Sequence, residues 1–312
     1  MSVPSLKELY EGGKPALARA LAAIETEANS AALAALLDEA CASPNGHILG
    51  LTGTPGVGKS TLINALIARA RTANKTIAVI AVDPSSKATG GALLGDRARM
   101  TTNPDDKGVF VRSMAARDRL GGISNETIAA AVLMRALYDR VIVETVGVGQ
   151  SESDIAGIAD TVLLCIQPGA GDSMQFMKAG VMELPDVVAV TKGDLGASAR
   201  RARADVEGAL GLSARGEWQA PVVTISTTNG EGLDQLEEAI AKHTAFLCEG
   251  GRGAKKQKEQ EAAWVAEAIK ARFGSEGLEA SREINVSAAG PFSREAALAD
   301  ALRARLFPLT RE

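Results

Sequence analysis

Histidine and cysteine are scarce in this sequence. Its 312 residues include two histidines, His47 and His243, and three cysteines. Sites that hold nickel or zinc need clusters of these residues at ligand spacing, because imidazole nitrogens and thiolates are the preferred ligands. The sequence offers no such cluster, and this argues against a protein that delivers nickel.

The cysteines also lie far apart, at Cys41, Cys165 and Cys248. Cys165 is inside the apolar run 161–166, so we expect it in the core. Isolated cysteines are typical of a reducing compartment, whereas small secreted domains use paired ones. We therefore expect a cytoplasmic protein, although the same usage would suit an organelle matrix.

Long apolar runs and an excess of positive charge are absent as well. No run reaches the roughly 18 residues that a membrane span requires, and the N-terminus has no signal-peptide pattern. The formal net charge is −4 and the isoelectric point is about 5.5. We therefore expect neither nucleic acid nor a membrane as a partner. The apolar fraction of 46% is ample for a buried core.

The most informative segment is Gly53–Ser60, which reads GTPGVGKS and matches the phosphate-binding loop G-x-x-x-x-G-K-[ST] at every fixed position. Residues 48–52 before it favour a short buried strand, and residues 61–67 favour the start of a helix. Glycines let the backbone N–H groups of such a loop converge on an anion, and the helix N-terminus adds its dipole. A chance glycine-rich turn is the alternative, but it would not require the flanking strand and helix.

The chemistry of this loop assigns separate roles to two of its side chains. The Lys59 amine can reach the β- and γ-phosphates, and the Ser60 hydroxyl can hold Mg²⁺. We predict Lys59 as a catalytic residue. The predicted nucleotide-binding segment consists of Gly53, Thr54, Gly56, Val57, Gly58, Lys59, Ser60 and Thr61.

Seven short β-branched runs alternate with helix-like stretches between residues 47 and 247. The runs are 47–52, 76–82, 109–112, 140–146, 161–167, 187–191 and 221–226. Near-continuous apolar runs that alternate with helices predict an α/β fold with a mostly parallel, doubly wound sheet covered on both faces. Ligands of such sheets bind beyond the carboxyl ends of the strands.

Helical patterns without strands flank this region, and the length suggests about two domains. We predict an N-terminal helical extension over 1–43, a P-loop domain over 44–250 and a C-terminal helical arm over 251–312. Leucines of the first segment recur at helical spacing, so we expect them to pack on the main domain. In the arm, Trp264, Ile269 and Phe273 suggest contact with a second copy, since an isolated arm would leave them exposed.

Three acidic residues are candidates for a magnesium site. Asp83 ends the second strand, Asp96 lies in the segment 90–97, and Glu144 lies near the end of the fourth strand. Mg²⁺ prefers hard oxygen ligands and keeps several waters, so a few carboxylates suffice. We predict that Ser60 and these three carboxylates hold the ion, and Asp96 is also a catalytic candidate. A solvent-facing strand-end residue is the alternative for any one of them.

The segment Glu144-x-x-Gly147 resembles the D-x-x-G motif of GTPases, with glutamate in place of aspartate. A glycine lets its N–H approach the γ-phosphate, so this loop can sense whether that phosphate is present. We therefore predict Gly147 as a nucleotide contact.

Two later segments, Thr-Lys-Gly-Asp and Ser-Thr-Thr, predict selectivity for guanine. The Asp194 carboxylate can accept both guanine N1–H and the exocyclic amine, and adenine offers no such pair. An unpaired buried carboxylate costs several kcal/mol, or roughly 10³–10⁵ in discrimination. We expect Lys192 to lie along the base of GTP or GDP. The loop around guanine O6 is predicted to contain Ser226, Thr227 and Thr228.

The segments Val82–Ser86, Gly90–Arg97, Glu144–Glu152 and Pro168–Asp172 resemble the MeaB/ArgK family. The resemblance covers about 45 to 250 closely. It implies a GTPase of the SIMIBI class that acts as a chaperone for an adenosylcobalamin-dependent acyl-CoA mutase, gating cofactor loading and protecting the mutase from inactivation. It also implies a homodimer joined by the C-terminal arm. Methylmalonyl-CoA mutase is the default client, but relatives acting on other acyl-CoA substrates use similar chaperones.

The segment from Pro168 to about Gly180 matches a mobile third switch of that family. In relatives, the residues matching Gln175 and Lys178 help to accelerate hydrolysis when the mutase is bound. The chemistry is compatible, because glutamine can orient water and lysine can neutralise charge on the phosphate. An ordinary strand-to-helix connection with two exposed side chains is the alternative.

This sequence departs from the family pattern at two positions. Thr191 stands where asparagine is usual, and Thr227 stands where alanine is frequent. The asparagine braces neighbouring loops, so we expect Thr191 to loosen nucleotide binding. The backbone N–H of Thr227 can donate a hydrogen bond as well as that of alanine, so we expect little change at this position.

Three other functions are alternatives to a GTP-hydrolysing chaperone. A nickel-delivering GTPase conflicts with the scarcity of histidine and cysteine. A P-loop kinase would need a base beside an acceptor site, and no segment indicates one. A nucleotide switch that barely hydrolyses its ligand differs from the main hypothesis only in rate.

Overall fold

The computed structural model describes residues 3–27, 30–83, 103, 105–116, 123–145, 151–169, 181–213 and 216–306. Four predicted site residues lie outside these ranges: Asp96, Gly147, Gln175 and Lys178.

A sheet of parallel strands forms the centre of the described chain. Its strands are β1 (His47–Gly53), β2 (Ile77–Asp83), β3 (Val109–Ala115), β4 (Arg140–Glu144), β5 (Thr161–Ile166), β6 (Val187–Val190) and β7 (Val222–Thr224). Their order is β3-β2-β4-β1-β5-β6-β7, and every neighbouring pair is parallel. The predicted doubly wound α/β fold is confirmed, and each strand coincides with one of the β-branched runs.

Helices follow or precede most strands. Those in the described ranges are α1 (Leu6–Thr26), α2 (Ala31–Ala42), α3 (Lys59–Thr72), α4 (Asn125–Leu137), α5 (Ser151–Ala156), α6 (Ala197–Ser213), α7 (Leu233–Cys248), α8 (Arg252–Ser281) and α9 (Pro291–Leu306). The backbone leaves helical geometry at Gly13 in α1 and at Gly274 in α8. In the part of the chain that is described, no helix is long and apolar enough to cross a bilayer.

The sheet is buried on both faces. In β1, Ile48 belongs to one core cluster and Leu49 to another, as expected when successive side chains of a strand point to opposite faces. Helices α1, α2, α4 and α5 contribute to the first cluster, and α3 and α7 contribute to the second. This double coverage explains why the strands read as near-continuous apolar runs.

The chain changes direction across the sheet at β1. This strand pairs with β4 on one side and with β5 on the other, and the remaining strands lie farther out on each side. A crevice for ligands forms at the carboxyl ends of strands where such a change occurs. The register places Glu144 beside Leu51 and Cys165 beside Gly53. The phosphate loop therefore starts next to the end of β4.

Both histidines lie in one polar network at the opposite, amino end of the sheet. His47 Nε2 lies 2.9 Å from Thr161 Oγ1, which in turn lies 2.7 Å from His243 Nδ1. His243 Nε2 is 3.2 Å from Asp186 Oδ1, and Lys256 of α8 approaches the same carboxylate at 3.6 Å. Burial lowers the pKa of His47 to about 4. The two histidines thus serve the fold and help to hold α8 against the sheet.

The C-terminal arm packs within the chain. Trp264 Nε1 donates a hydrogen bond to the carbonyl oxygen of Gly157 at 2.6 Å. Ile269 is fully buried with Leu298 of α9, and Phe273 packs against the same cluster. The apolar residues that suggested a second copy therefore have partners in their own chain, and the homodimer stays a prediction that these residues no longer support.

Helix α9 is also tied to α2 at the other end of the sequence. The buried carboxylate of Asp38 accepts hydrogen bonds from the backbone N–H groups of Phe292 (2.9 Å) and Ser293 (3.1 Å). A Cβ on Gly290 would lie 2.6 Å from Asp38 Oδ1, so this close approach requires glycine. The two helical extensions thus contact each other, while the domain limits at 43 and 250 stay predictions.

We expect Asp38→Ala to lower the free energy of unfolding by about 1–2 kcal/mol, because it removes the acceptor at the positive end of α9. Urea denaturation measures this difference. Glu39→Ala is the matched control, since Glu39 is the exposed neighbour on the same helix. Equal denaturation midpoints for the two variants would contradict the capping role.

Candidate nucleotide-binding site

The phosphate-binding loop needs glycine for steric reasons. Gly53 and Gly58 have φ angles of 144° and 103°, which residues with a side chain rarely adopt. A Cβ on Gly53 would also lie 2.4 Å from the carbonyl oxygen of Cys165 on β5. Helix α3 begins at Lys59, within the last two residues of this loop. The N–H groups of the loop are therefore at the positive end of the helix dipole, where anions are stabilised.

The side chain of Lys59 lies against the loop that precedes it. Its amine donates to the carbonyl oxygens of Gly53 at 2.7 Å and Thr54 at 3.3 Å, and the residue is 7% exposed. These contacts hold a cation beside the loop, where phosphate oxygens can replace the carbonyls as its partners.

Two of the four predicted magnesium ligands, Asp83 and Glu144, lie at the ends of β2 and β4, which pair through Ala81 and Glu144. Ser60 Oγ donates to Glu144 Oε1 at 3.5 Å, and Asp83 ends the neighbouring strand. Asp83 and Glu144 are 2% and 3% exposed. A hydroxyl and two buried carboxylates are the hard oxygen donors that Mg²⁺ prefers, so these residues fit the ion.

Two threonines that sequence reasoning missed fix the end of β4 to β1. Thr145 Oγ1 donates to Thr52 Oγ1 at 3.0 Å, and the Thr145 N–H donates to the carbonyl oxygen of Leu51 at 3.1 Å. Both threonines are buried. They hold the residue after Glu144 against the strand that leads into the phosphate loop. Their pairing depends on strand register, which the sequence does not display.

The residues predicted to bind guanine meet where β6 and β7 end. Ser226 Oγ donates to Asp194 Oδ1 at 2.8 Å, which orients the carboxylate. Thr227 is half-buried and Thr228 is exposed in the turn that follows. The structure therefore brings together the two segments that were predicted to surround the base.

Lys192 has a contact that was not predicted. Its φ of 53° is in the left-handed region, and its amine donates to Gln167 Oε1 at 2.6 Å. Gln167 directly follows β5. The amide thus orients the lysine that we expect along the guanine ring, and no local motif marks this glutamine.

Thr191 joins the guanine segment to the phosphate loop. Its buried hydroxyl lies 2.8 Å from the carbonyl oxygen of Val57 and 3.2 Å from that of Ile166. One hydroxyl proton serves one acceptor at a time, and the Val57 contact is the shorter. We expected weaker nucleotide binding because the asparagine that braces neighbouring loops in the family is replaced by Thr191. In this structure the Thr191 hydroxyl itself contacts the phosphate loop and braces it.

Cys165 lies beside Gly53 in the sheet and is 1% exposed, so the prediction of a core residue is confirmed. Burial raises the pKa of its thiol to about 12. The sulfur is therefore protonated at neutral pH and is not a nucleophile.

We expect Thr191→Val to weaken GDP binding by about 5- to 100-fold, because the buried Val57 carbonyl loses its donor and the loop loses its brace. Thr191→Ser keeps the hydroxyl and is the matched control. Calorimetric titration of both variants checks this. Equal GDP affinities for the two would show that the hydroxyl does not support the loop.

The phosphate loop, the acidic strand ends and the base-binding segments lie along one edge of the sheet, and this arrangement is that of a P-loop GTPase. A family model described as "Methylmalonyl Co-A mutase-associated GTPase MeaB" matches residues 17–281. The chain belongs to this family, which confirms the resemblance seen in the sequence. Membership also implies that the chain binds guanine nucleotide.

Curated relatives agree with this assignment. A putative GTPase of Pyrococcus horikoshii is 42% identical over 263 residues, which cover 81% of this chain and 81% of the relative. The GTPase ArgK of Escherichia coli is 36% identical over 269 residues, which cover 84% of this chain and 81% of the relative. A crystal structure of an LAO/AO transport system kinase is 29% identical, with a TM-score of 0.68 and 96% of each chain covered.

Proposed function

We propose that this chain is a GTP-hydrolysing chaperone that gates adenosylcobalamin loading into an acyl-CoA mutase and protects that enzyme from inactivation. The observation that carries the proposal is a phosphate loop braced to a guanine-binding segment, in a chain whose family is described as mutase-associated. Methylmalonyl-CoA mutase or a close relative is the proposed client.

The residues of the phosphate site divide the work of hydrolysis. Lys59 binds the β/γ-phosphate oxygens and stabilises the charge that develops on them. Ser60, Asp83 and Glu144 are the residues that would hold Mg²⁺, directly or through water. When bound, the ion neutralises charge between the two phosphates. The hydrogen bond from Ser60 to Glu144 positions the hydroxyl for this role.

Selectivity for GTP and GDP over adenine nucleotides follows from Asp194. Its carboxylate is held by Ser226 and would accept two N–H donors from guanine. Asp194 is exposed in this structure, so the penalty falls on adenine where the bound base covers the carboxylate and leaves its acceptor positions unpaired.

We expect Asp194→Asn to weaken GDP binding by about 10- to 100-fold and to change ADP binding little, because a charged acceptor of two hydrogen bonds is lost. Asp205→Asn, at an exposed position on α6, is the matched control. Calorimetry with GDP and ADP measures both effects. A wild-type protein that binds the two nucleotides equally would refute the guanine assignment.

A phosphotransferase is the second candidate, because one structural relative is described as a transport system kinase. Phosphate release to water and transfer to a protein acceptor are separable with labelled GTP. Nickel delivery, the other alternative, would need a cluster of histidine or cysteine ligands. Within the described ranges, no group of three or more histidine, cysteine, aspartate or glutamate residues could hold a metal ion.

The coupling element of the proposal is the segment from Pro168 to Gly180, most of which lies outside the described residues. A mutase can stimulate hydrolysis only if it binds one arrangement of this segment better than the others. Gln175 and Lys178 would then act on the attacking water and on the phosphate charge.

We expect an adenosylcobalamin-dependent acyl-CoA mutase to raise GTP turnover, and Gln175→Ala and Lys178→Ala to abolish that increase while the mutase still binds. Supplying such groups accelerates other GTPases by as much as ~10³–10⁵, and we expect less here. Steady-state phosphate release and co-purification measure the two properties. Lys242→Ala, on the exposed face of α7, is the control. Variants that respond like the wild type would show that this segment is an ordinary connection.

A homodimer built by the C-terminal arm is also part of the proposal. It now rests on the family resemblance, because Ile269 is buried within its own chain. We expect light scattering at micromolar concentration to give the mass of two chains. A monomer mass would contradict it. We place the protein in the cytoplasm, where its free cysteines, Cys41, Cys165 and Cys248, suit a reducing environment.

A further inference from the structure

A groove of about 480 Å³ lies between α8 and α9, on the helical arm and apart from the nucleotide site. Its walls include Ala262, Val265, Ala266, Ile269, Leu278 and Leu298. This volume is within the range of small-molecule sites, which is roughly 300–1,000 Å³. We call this cavity the arm groove.

The rim of the arm groove is predominantly cationic. Lys258, Arg282 and Arg294 border it, and Glu261 is its one carboxylate among the lining residues. Glu261 accepts a hydrogen bond from Gln257 at 3.0 Å. The rim therefore carries an excess of two positive charges beside an apolar floor.

Two arginines of the arm that do not line the groove have carboxylate partners. Arg272 on α8 pairs with Glu295 at 3.1 Å, and Arg303 on α9 pairs with Asp300 at 2.8 Å. Within the described residues, the side chains of Lys258, Arg282 and Arg294 have neither an ion pair nor a hydrogen bond. Their charges are thus available to a ligand.

We propose that the arm groove binds a small amphipathic carboxylate, with its apolar chain on the floor and its anionic head at Arg282 and Arg294. Guanidinium groups bind carboxylates through paired hydrogen bonds, and an apolar chain gains by leaving water. Charge complementarity selects an anion over a neutral amphiphile. The inference does not depend on the mutase proposal.

Decanoate is a suitable probe below the concentration at which it forms micelles. We expect calorimetry to show saturable binding of one decanoate per chain. Decanol, which has the chain without the charge, and acetate, which has the charge without the chain, should each bind at least tenfold more weakly. Equal binding of decanol would overturn the proposal, since the cations would then have no part in recognition.

Variants separate the two parts of the arm groove. Arg282→Gln with Arg294→Gln should weaken decanoate at least tenfold, and Ala266→Trp should abolish binding by filling the space. Arg303→Gln is the matched control, because Arg303 lies on α9 and does not line the groove. GDP affinity should be unchanged in all three proteins, which verifies folding.

Unaltered decanoate binding in the double variant would contradict the proposal. So would a wild-type protein that does not bind decanoate but loses dimer mass with Ala266→Trp, because the groove would then belong to a subunit interface. If decanoate does not bind in a one-to-one ratio but an acidic peptide binds to the arm groove, the groove is a protein-docking surface instead.

Discussion

The parallel pairing of β1 with β4 and β5 is the constraint on which the rest of the structure depends. It places the end of β1 between two other strand ends, so that Gly53 meets Cys165 and Leu51 meets Glu144. The close contact at Gly53 forces a glycine there, and the loop then turns into α3. Because Glu144 is fixed beside β1, its carboxylate can reach Ser60. The chemistry of the site is therefore a consequence of strand register.

The two ends of the sheet have different tasks. The carboxyl end collects the lysine, hydroxyl and carboxylate groups that a nucleotide and a magnesium ion require. The amino end holds both histidines in a network with Thr161 and Asp186, where they support α8. This division explains how a chain with two histidines can lack a histidine-based site. It also separates the arm, and any ligand that the arm binds, from the nucleotide.

Much of the fold was predictable because its signals are local. Each β-branched run became a strand, and the loop Gly53–Ser60 is a contiguous motif. The contacts that tune the site were not predictable, since they join residues distant in sequence: Thr191 reaches Val57, and Lys192 reaches Gln167. The same limit applies to Ile269, for which the sequence suggested contact with a second copy and which packs against Leu298 of its own chain. Helical spacing shows that a helix has an apolar face but not which element covers that face.

We propose that one edge of this sheet binds GTP with Mg²⁺ through Lys59, Ser60 and Asp194. A crystal structure with Mg²⁺ and a non-hydrolysable GTP analogue tests it most directly. We expect the phosphates within Gly53–Ser60, the ion on Ser60 Oγ, and both Asp194 oxygens facing guanine N1 and N2. A nucleotide bound elsewhere, or a base without contact to Asp194, would contradict this binding site.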